Sequence, residues 1–129
     1  SSLLQVPLLE RLLPRGRRVG VLTASAADLT PDHLVAVGAA ADTPVAGLDP
    51  AGHFAAVLLG NDQPLDCARA AAELDAAADR LLAHHPDIGA VVLECTNMGA
   101  HARRLARRTG LPVFDVIGFA HWFQRGLCP

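Results

Sequence analysis

The stretch Glu94-Cys95-Thr96-Asn97 combines residue types that can do chemistry, and it follows directly on an apolar run at 88–93. That run predicts a buried strand, and the residues after it predict the start of a helix. A thiol at such a junction meets unpaired backbone N–H groups and the positive end of the helix dipole, which both favour thiolate over thiol. We therefore predict that Cys95 acts as a thiol acid or base.

An anion-binding cradle is predicted beside this thiol. The free N–H groups of a helix start, together with the Thr96 hydroxyl and the Asn97 amide, suit a bound carboxylate. A thiolate next to a carboxylate can take or return a proton at the adjacent carbon, a difficult step that proximity and preorganised donors must assist. We predict that Cys95 is catalytic and that Thr96 and Asn97 bind a small carboxylate-bearing substrate.

Further polar residues follow the other predicted strands. Thr23 and Ser25 come after the apolar run 19–22, and we expect them to line the substrate pocket, since ligands bind at the carboxyl ends of parallel strands. Glu94 and Asp115 are candidate assisting residues. A structural hydrogen bond is the alternative role for Glu94, and capping of the following helix is the alternative for Asp115.

Alternating strand and helix patterns position these residues. Apolar runs predict strands at 19–22, 44–48, 88–93 and 111–114. Three- and four-residue apolar steps and capping signals predict helices at 3–13, 31–38, 64–85, 98–109 and 116–125. The segment 52–60 fits either a helix or a strand. We predict one α/β domain over 1–129, with a small parallel sheet and flanking helices.

The composition excludes several classes of function. The chain has 129 residues, 51% of them hydrophobic, so it can bury one core. A net charge of −2 argues against a nucleic-acid partner, and no apolar run is long enough to span a membrane. All 11 basic residues are Arg, which excludes a lysine Schiff base and a phosphate-loop lysine. No Cys/His spacing matches a zinc site, and no glycine-rich nucleotide loop is present.

The three cysteines do not form a disulfide framework, so we predict a reducing, cytoplasmic location. Cys67 falls on the apolar stripe of the predicted helix 64–85 and is expected in the core. Cys128 is next to the last residue, where fraying is usual. Cys95 is therefore the thiol that the sequence places for chemistry.

The segments VVLECTNM at 91–98 and TGLPVFD at 109–115 resemble the second half of the aspartate/glutamate racemase superfamily, which includes hydantoin racemases, maleate isomerases and arylmalonate decarboxylases. The segment RVGVLTAS at 18–25 is similar to the opening of that half. The resemblance implies a cofactor-independent isomerase of amino-acid metabolism. It also implies two pseudo-symmetric α/β domains with the active site in the cleft between them, of which this chain would form one.

By the same resemblance, one cysteine from each domain acts on opposite faces of the substrate carbon. Cys95 matches the second of these thiols, and Thr96 matches the residue that helps to hold the substrate carboxylate. The other thiol would come from a missing N-terminal domain or from a homodimer partner, since neither Cys67 nor Cys128 is a plausible substitute. The implied reaction is the cofactor-free racemisation of an Asp- or Glu-type amino acid, incomplete in this chain alone.

Two alternatives stay open at this point. A single-cysteine decarboxylase or isomerase of the same superfamily would form product without a partner thiol. A non-catalytic binding or assembly module would keep the fold, and its Cys95 would react with alkylating agents no faster than an ordinary free thiol.

Overall fold

The computed structural model describes residues 1–60 and 64–127, so Cys128 lies outside the described residues. The helices are, in chain order, α1 (Gln5–Leu12), α2 (Pro31–Ala36), α3 (His53–Gly60), α4 (Cys67–His84), α5 (Ala102–Thr109) and α6 (Val116–Leu127). The strands are β1 (Arg18–Thr23), β2 (Val45–Gly47), β3 (Ile88–Leu93) and β4 (Val113–Phe114). Stretches of 3-10 helix at Ser2–Leu4 and Thr96–His101 precede α1 and α5.

The strands form one parallel sheet in the order β2-β1-β3-β4. This confirms the predicted α/β class and the parallel sheet with flanking helices. Leu22 of β1 lies opposite Leu93 of β3, and the N–H of Glu94 donates to the Leu22 carbonyl at 2.8 Å, one residue beyond the strand. The carboxyl ends of β1 and β3 therefore meet at the same edge of the sheet.

The sheet separates two hydrophobic cores. Leu22 and Leu93 pack with α3, α4 and α5 on one face, whereas Val21 and Val92 pack with α1 and α2 on the other. All four side chains are fully buried. Because successive side chains of a strand point to opposite faces, this assignment also fixes the face on which each residue after β1 and β3 emerges.

Helix α4 begins later than the sequence pattern predicts. The Asp66 carboxylate accepts hydrogen bonds from the N–H groups of Ala68 and Arg69, at 2.9 and 3.1 Å, and caps the helix. The bond from Arg69 is the main cause that lowers the pKa of Asp66. Cys67 is then the first helical residue and lies exposed, so the expectation that it belongs to the core is wrong. The apolar stripe begins one turn later, at Ala70.

The ambiguous segment 52–60 is helical because a distant side chain caps it. The two carboxylate oxygens of Glu73 accept from the N–H groups of His53 and Phe54, each at 2.8 Å. The buried His53 ring accepts in turn from the N–H of Asp66 at 2.9 Å. These bonds join the starts of α3 and α4, and they explain why local periodicity could not decide the conformation of this segment.

Ion pairs join α4 and α5. Arg104 makes two hydrogen bonds to the buried Asp75 carboxylate, at 2.7 and 2.6 Å, and Arg108 pairs with Asp79. These ion pairs fasten the two helices together.

Helix α6 packs least well against the rest of the chain. None of its described residues is buried, and Trp122, Phe123 and Leu127 are largely exposed. A groove of about 350 Å³ separates α6 from the exposed face of α1. Among the helices of residues 1–60 and 64–127, none is long and apolar enough to cross a membrane.

Candidate functional site

Two of the predicted site residues meet at the shared edge of β1 and β3. The hydroxyl of Thr23 donates a hydrogen bond to Oε2 of Glu94 at 3.0 Å. Thr23 is buried and Glu94 is half-buried. By strand alternation both side chains emerge on the α1–α2 face of the sheet. The structural hydrogen bond expected as one role of Glu94 is therefore present.

A cavity of about 500 Å³ lies against this pair. Its polar lining includes Ser25, whose hydroxyl accepts from the N–H of Asp28 at 3.4 Å. The apolar lining comes from Leu3, Ala24, Leu29, Ala36, Val37 and Leu59. A Cβ on Gly47 would lie 2.6 Å from the backbone nitrogen of Ala26, so this glycine permits the loop after β1 to lie close to β2 and shape the cavity.

The ionised side chains that line the cavity are acidic, and Ser1, the first residue of this chain, also borders it. Glu94 and Asp28 contribute carboxylates, and no arginine of the described residues lines it. His33 also borders the cavity, and its Nδ1 accepts a hydrogen bond from the N–H of Thr30 at 3.1 Å.

Cys95 emerges on the other face of the sheet. Its side chain is half-buried and packs at the border of the core formed with α3, α4 and α5. The residue is extended, with φ −75° and ψ 128°, and its carbonyl accepts from the N–H of Met98 at 3.1 Å. The thiol itself makes no capping hydrogen bond. The cavity beside Glu94 is not lined by Cys95, so the structure does not place the thiol and Thr23 in one pocket.

Thr96 and Asn97 open the 3-10 stretch after Cys95, and both are exposed. The sequence predicts an α-helix from 98, but α5 begins only at Ala102. The first N–H groups of such a stretch have no partner within it. Asn97 borders a separate pocket of about 260 Å³ together with Phe54, Val57, Leu58 and Leu65.

Asp115 caps α6. Its Oδ1 accepts from the N–H of Gly118 at 2.8 Å, which confirms the predicted capping. Its carbonyl accepts from the side chain of Gln5 at 3.1 Å. A Cβ on Gly99 would lie 3.5 Å from the Asp115 carboxyl carbon, so this carboxylate lies beside the 3-10 stretch. Its role as an assisting residue in catalysis stays a prediction.

A buried serine that the sequence argument missed supports the same strand end. The hydroxyl of Ser2 lies 2.7 Å from the carbonyl of Leu93 and 3.2 Å from that of Glu94. Ser2 is 1% exposed. It ties the start of the chain to a strand 91 residues away, and no local signal could have revealed the pairing.

His101 closes the 3-10 stretch with its ring edge against Phe54, at 5.9 Å between ring centroids. Partial burial, followed by the nearby charge of Arg104, lowers the pKa of His101, and Asp75 opposes that shift. The ring is therefore neutral near neutral pH. Within residues 1–60 and 64–127, no three His, Cys, Asp or Glu side chains gather as a metal-binding group.

Comparison with known proteins returns one named relative of interest. The chain is 32% identical, over 132 aligned positions, to a dimethylsulfoniopropionate lyase of Durusdinium sp. clade D. The alignment covers 98% of this chain but 43% of the relative, so the chain spans less than half of that protein's length. No protein-family model and no solved structure matches the chain.

This comparison corrects the expected identity. The relative is named as a lyase, whereas the resemblance described above implied a racemase or isomerase of amino-acid metabolism. A racemase returns a proton to the carbon that lost one, but a lyase removes a group from its substrate. The prediction of an aspartate/glutamate racemase half that racemises an amino acid is therefore wrong, and the single-cysteine decarboxylase or isomerase alternative gains no clear support from the comparison either.

Proposed function

We propose that this chain is part of a lyase that cleaves dimethylsulfoniopropionate or a closely related sulfonium acid. The observation that carries the proposal is the 32% identity to a dimethylsulfoniopropionate lyase along 98% of this chain.

The elimination of dimethyl sulfide from that substrate needs only one base. Dimethylsulfoniopropionate has a carboxylate at one end and a positively charged sulfonium at the other, separated by two methylene carbons. A base removes a proton from the carbon next to the carboxylate, and the C–H electron pair becomes a carbon–carbon double bond. The carbon–sulfur bond breaks with its electrons on sulfur, so dimethyl sulfide leaves and acrylate remains. The proton ends on the base, and no oxidant or reductant is needed.

Cys95 is the base in this proposal. Its side chain is half-buried at a strand end, makes no capping hydrogen bond, and precedes the free N–H groups of the 3-10 stretch. Thr96 and Asn97 hold the substrate carboxylate with those N–H groups and their own side chains. The negative charge that develops on the substrate during proton removal then lies beside preorganised donors.

The proposal includes a second unit that closes the site. Thr96 and Asn97 are exposed in this chain, and the chain covers 43% of the relative's length. We propose that the chain is one half of a two-domain arrangement and that the other half comes from further sequence of the same protein or from a second copy. A free thiol that must stay reduced fits a cytoplasmic location.

The test is the release of dimethyl sulfide and acrylate from dimethylsulfoniopropionate. The protein is expressed with whatever sequence flanks this chain in its gene, and dimethyl sulfide is measured in the headspace. Cys95→Ser should lower the rate by about 10²–10⁴-fold, the range expected for loss of a positioned base. Cys67→Ser is the matched control, because Cys67 is exposed at the start of α4, and it should keep the wild-type rate. No dimethyl sulfide from the wild type would contradict the proposal.

A further inference from the structure

We infer that Glu94, oriented by Thr23, binds the positively charged head of the substrate, so that the cavity on the α1–α2 face is a cation subsite. This inference rests on the proposed function for the identity of the cation, a dialkylsulfonium group. It assigns Glu94 a role in substrate specificity that is separate from the proton transfer by Cys95.

The orientation of Glu94 is fixed from one side only. The buried Thr23 hydroxyl donates to Oε2 at 3.0 Å, and this bond is formed best with an ionised carboxylate. Within residues 1–60 and 64–127, no hydrogen bond is found to the other oxygen, Oε1. The carboxylate therefore stands at the cavity wall with unused capacity for a positive partner.

The carboxylate side chains of the cavity favour a cation. The ion pairs of the described residues involve the carboxylates of Asp42, Asp75 and Asp79, and none of them involves Glu94 or Asp28. Two carboxylates without an ion pair would repel an anionic ligand and attract a cationic one.

The walls of the cavity suit a cation that carries methyl groups. Leu29, Val37 and Leu59 supply apolar surface to the cavity. A sulfonium with two methyl groups is compact and offers no N–H or O–H donor, so it loses little hydrogen bonding when it leaves water. A strongly hydrated ammonium would be desolvated at greater cost in the same place.

The adjacency of Glu94 and Cys95 in the chain relates this subsite to the proposed base. Glu94 and Cys95 are consecutive, with Cα atoms about 3.8 Å apart, and they emerge on opposite faces at the same sheet edge. In the substrate, the sulfur and the carbon that loses the proton are separated by a single carbon. The substrate must therefore lie across the shared edge of β1 and β3, so that its head group meets Glu94 on one face and its reacting carbon meets Cys95 on the other.

The role of Glu94 has a kinetic signature that a purely structural residue would lack. The sulfonium charge is present in the bound substrate and disappears as the neutral sulfide leaves. Attraction to Glu94 therefore stabilises the bound substrate at least as much as the transition state, so its loss should raise KM and leave kcat nearly unchanged. A structural defect would instead lower kcat and the thermal midpoint together.

The decisive experiment compares the binding of two unreactive ligands of the same shape. One is 3-(trimethylammonio)propanoate, which is cationic at its head and has a poor leaving group. The other is 4,4-dimethylpentanoate, in which a carbon atom replaces the charged nitrogen. Calorimetry on the protein with its flanking sequence should show that the wild type binds the cationic ligand about tenfold more tightly, the effect expected of one charge-assisted contact.

Substitutions then assign that preference to Glu94. Glu94→Gln should reduce the preference to within about twofold and leave the affinity for the neutral ligand unchanged. Thr23→Val, which keeps the side-chain shape but removes the hydroxyl, should reduce it in part. Asp28→Asn, at the exposed mouth of the cavity, should have the smallest effect.

The outcomes separate this inference from the proposed function. If Glu94→Gln keeps the wild-type preference, or if the wild type does not bind the cationic ligand at millimolar concentration, the cation subsite is wrong even when Cys95-dependent release of dimethyl sulfide is found. If the preference depends on Glu94 but no dimethyl sulfide is released, the subsite stands and the lyase proposal fails.

Discussion

The two faces of the sheet differ at the edge where β1 and β3 end. On the face packed by α4 and α5, alanine and leucine side chains fill the core and ion pairs fasten the helices, so Cys95 is held half-buried at its border. On the face packed by α1 and α2, the core stops short of the edge and leaves a cavity of about 500 Å³ beside Glu94.

This difference shows how two neighbouring residues acquire separate tasks. Alternation along β3 places Glu94 on the face packed by α1 and α2, here called the open face because of its cavity. It places Cys95 on the face packed by α3, α4 and α5, here called the closed face. The open face offers volume and negative charge, which suit recognition of a cation. The closed face packs the Cys95 side chain against the core, which suits a group that must meet one particular proton.

The largest expected difference in stability comes from the same substitution on the two faces. Leu74 of α4 is fully buried in the closed face, so Leu74→Ala should lower the free energy of unfolding by about 2–5 kcal/mol. Leu29 is a half-buried wall of the cavity, so Leu29→Ala should lower it by only about 1 kcal/mol. Urea unfolding of both variants measures the two values. Equal losses would mean that the cavity face is as tightly packed as the other.

A smaller effect is expected where Glu73 caps α3 on the closed face. Glu73→Ala leaves the N–H groups of His53 and Phe54 without their acceptors and should lower the free energy of unfolding by about 1–3 kcal/mol. Glu73→Gln keeps one acceptor oxygen, so it should lose roughly half of that amount. Thermal unfolding of the two variants side by side checks the order. A glutamine variant less stable than the alanine variant would contradict the capping role.

The smallest expected effect is a pH dependence from His101. Its pKa in the folded chain lies below the usual histidine value of 6.5, so the unfolded chain binds more protons at mildly acidic pH. Folding stability should therefore fall as the pH drops through 6.5 and level off below the folded-state pKa. His101→Gln removes this contribution, so its stability should change less than that of the wild type over that interval. Chemical denaturation at a series of pH values measures both slopes, and identical slopes would contradict the assignment.

The fold could be predicted from the sequence more completely than the site, for a physical reason. Buried parallel strands are continuous apolar runs, so the strands at 19–22, 44–48 and 88–93 could be predicted from local composition. The helix at 53–60 could not, because its cap is Glu73, a residue far along the chain. The prediction that Cys67 lies in the core was wrong for a related reason, since periodicity does not show where the first helical turn begins.

The site residues were identified by type, but their grouping needed the structure. The bond between Thr23 and Glu94 joins residues 71 positions apart, and the anchoring of Ser2 on the end of β3 is equally remote in sequence. One signal in the sequence could have predicted that Cys95 and Thr23 do not share a pocket. The period of two along a strand already implies that Glu94 and Cys95 emerge on opposite faces, and applying it beyond Leu93 would have separated the thiol from the pocket at Thr23.

The most direct test of the central claim is the kinetic isotope effect on the elimination. Dimethylsulfoniopropionate carrying deuterium on the carbon next to the carboxylate is compared with the unlabelled compound, and dimethyl sulfide release is followed for the wild type, Cys67→Ser and Cys95→Ser. If the Cys95 thiolate takes that proton, the deuterated substrate should react several-fold more slowly with the first two proteins, and Cys95→Ser should be nearly inactive with both substrates. Equal rates for the two substrates, together with full activity of Cys95→Ser, would contradict the account.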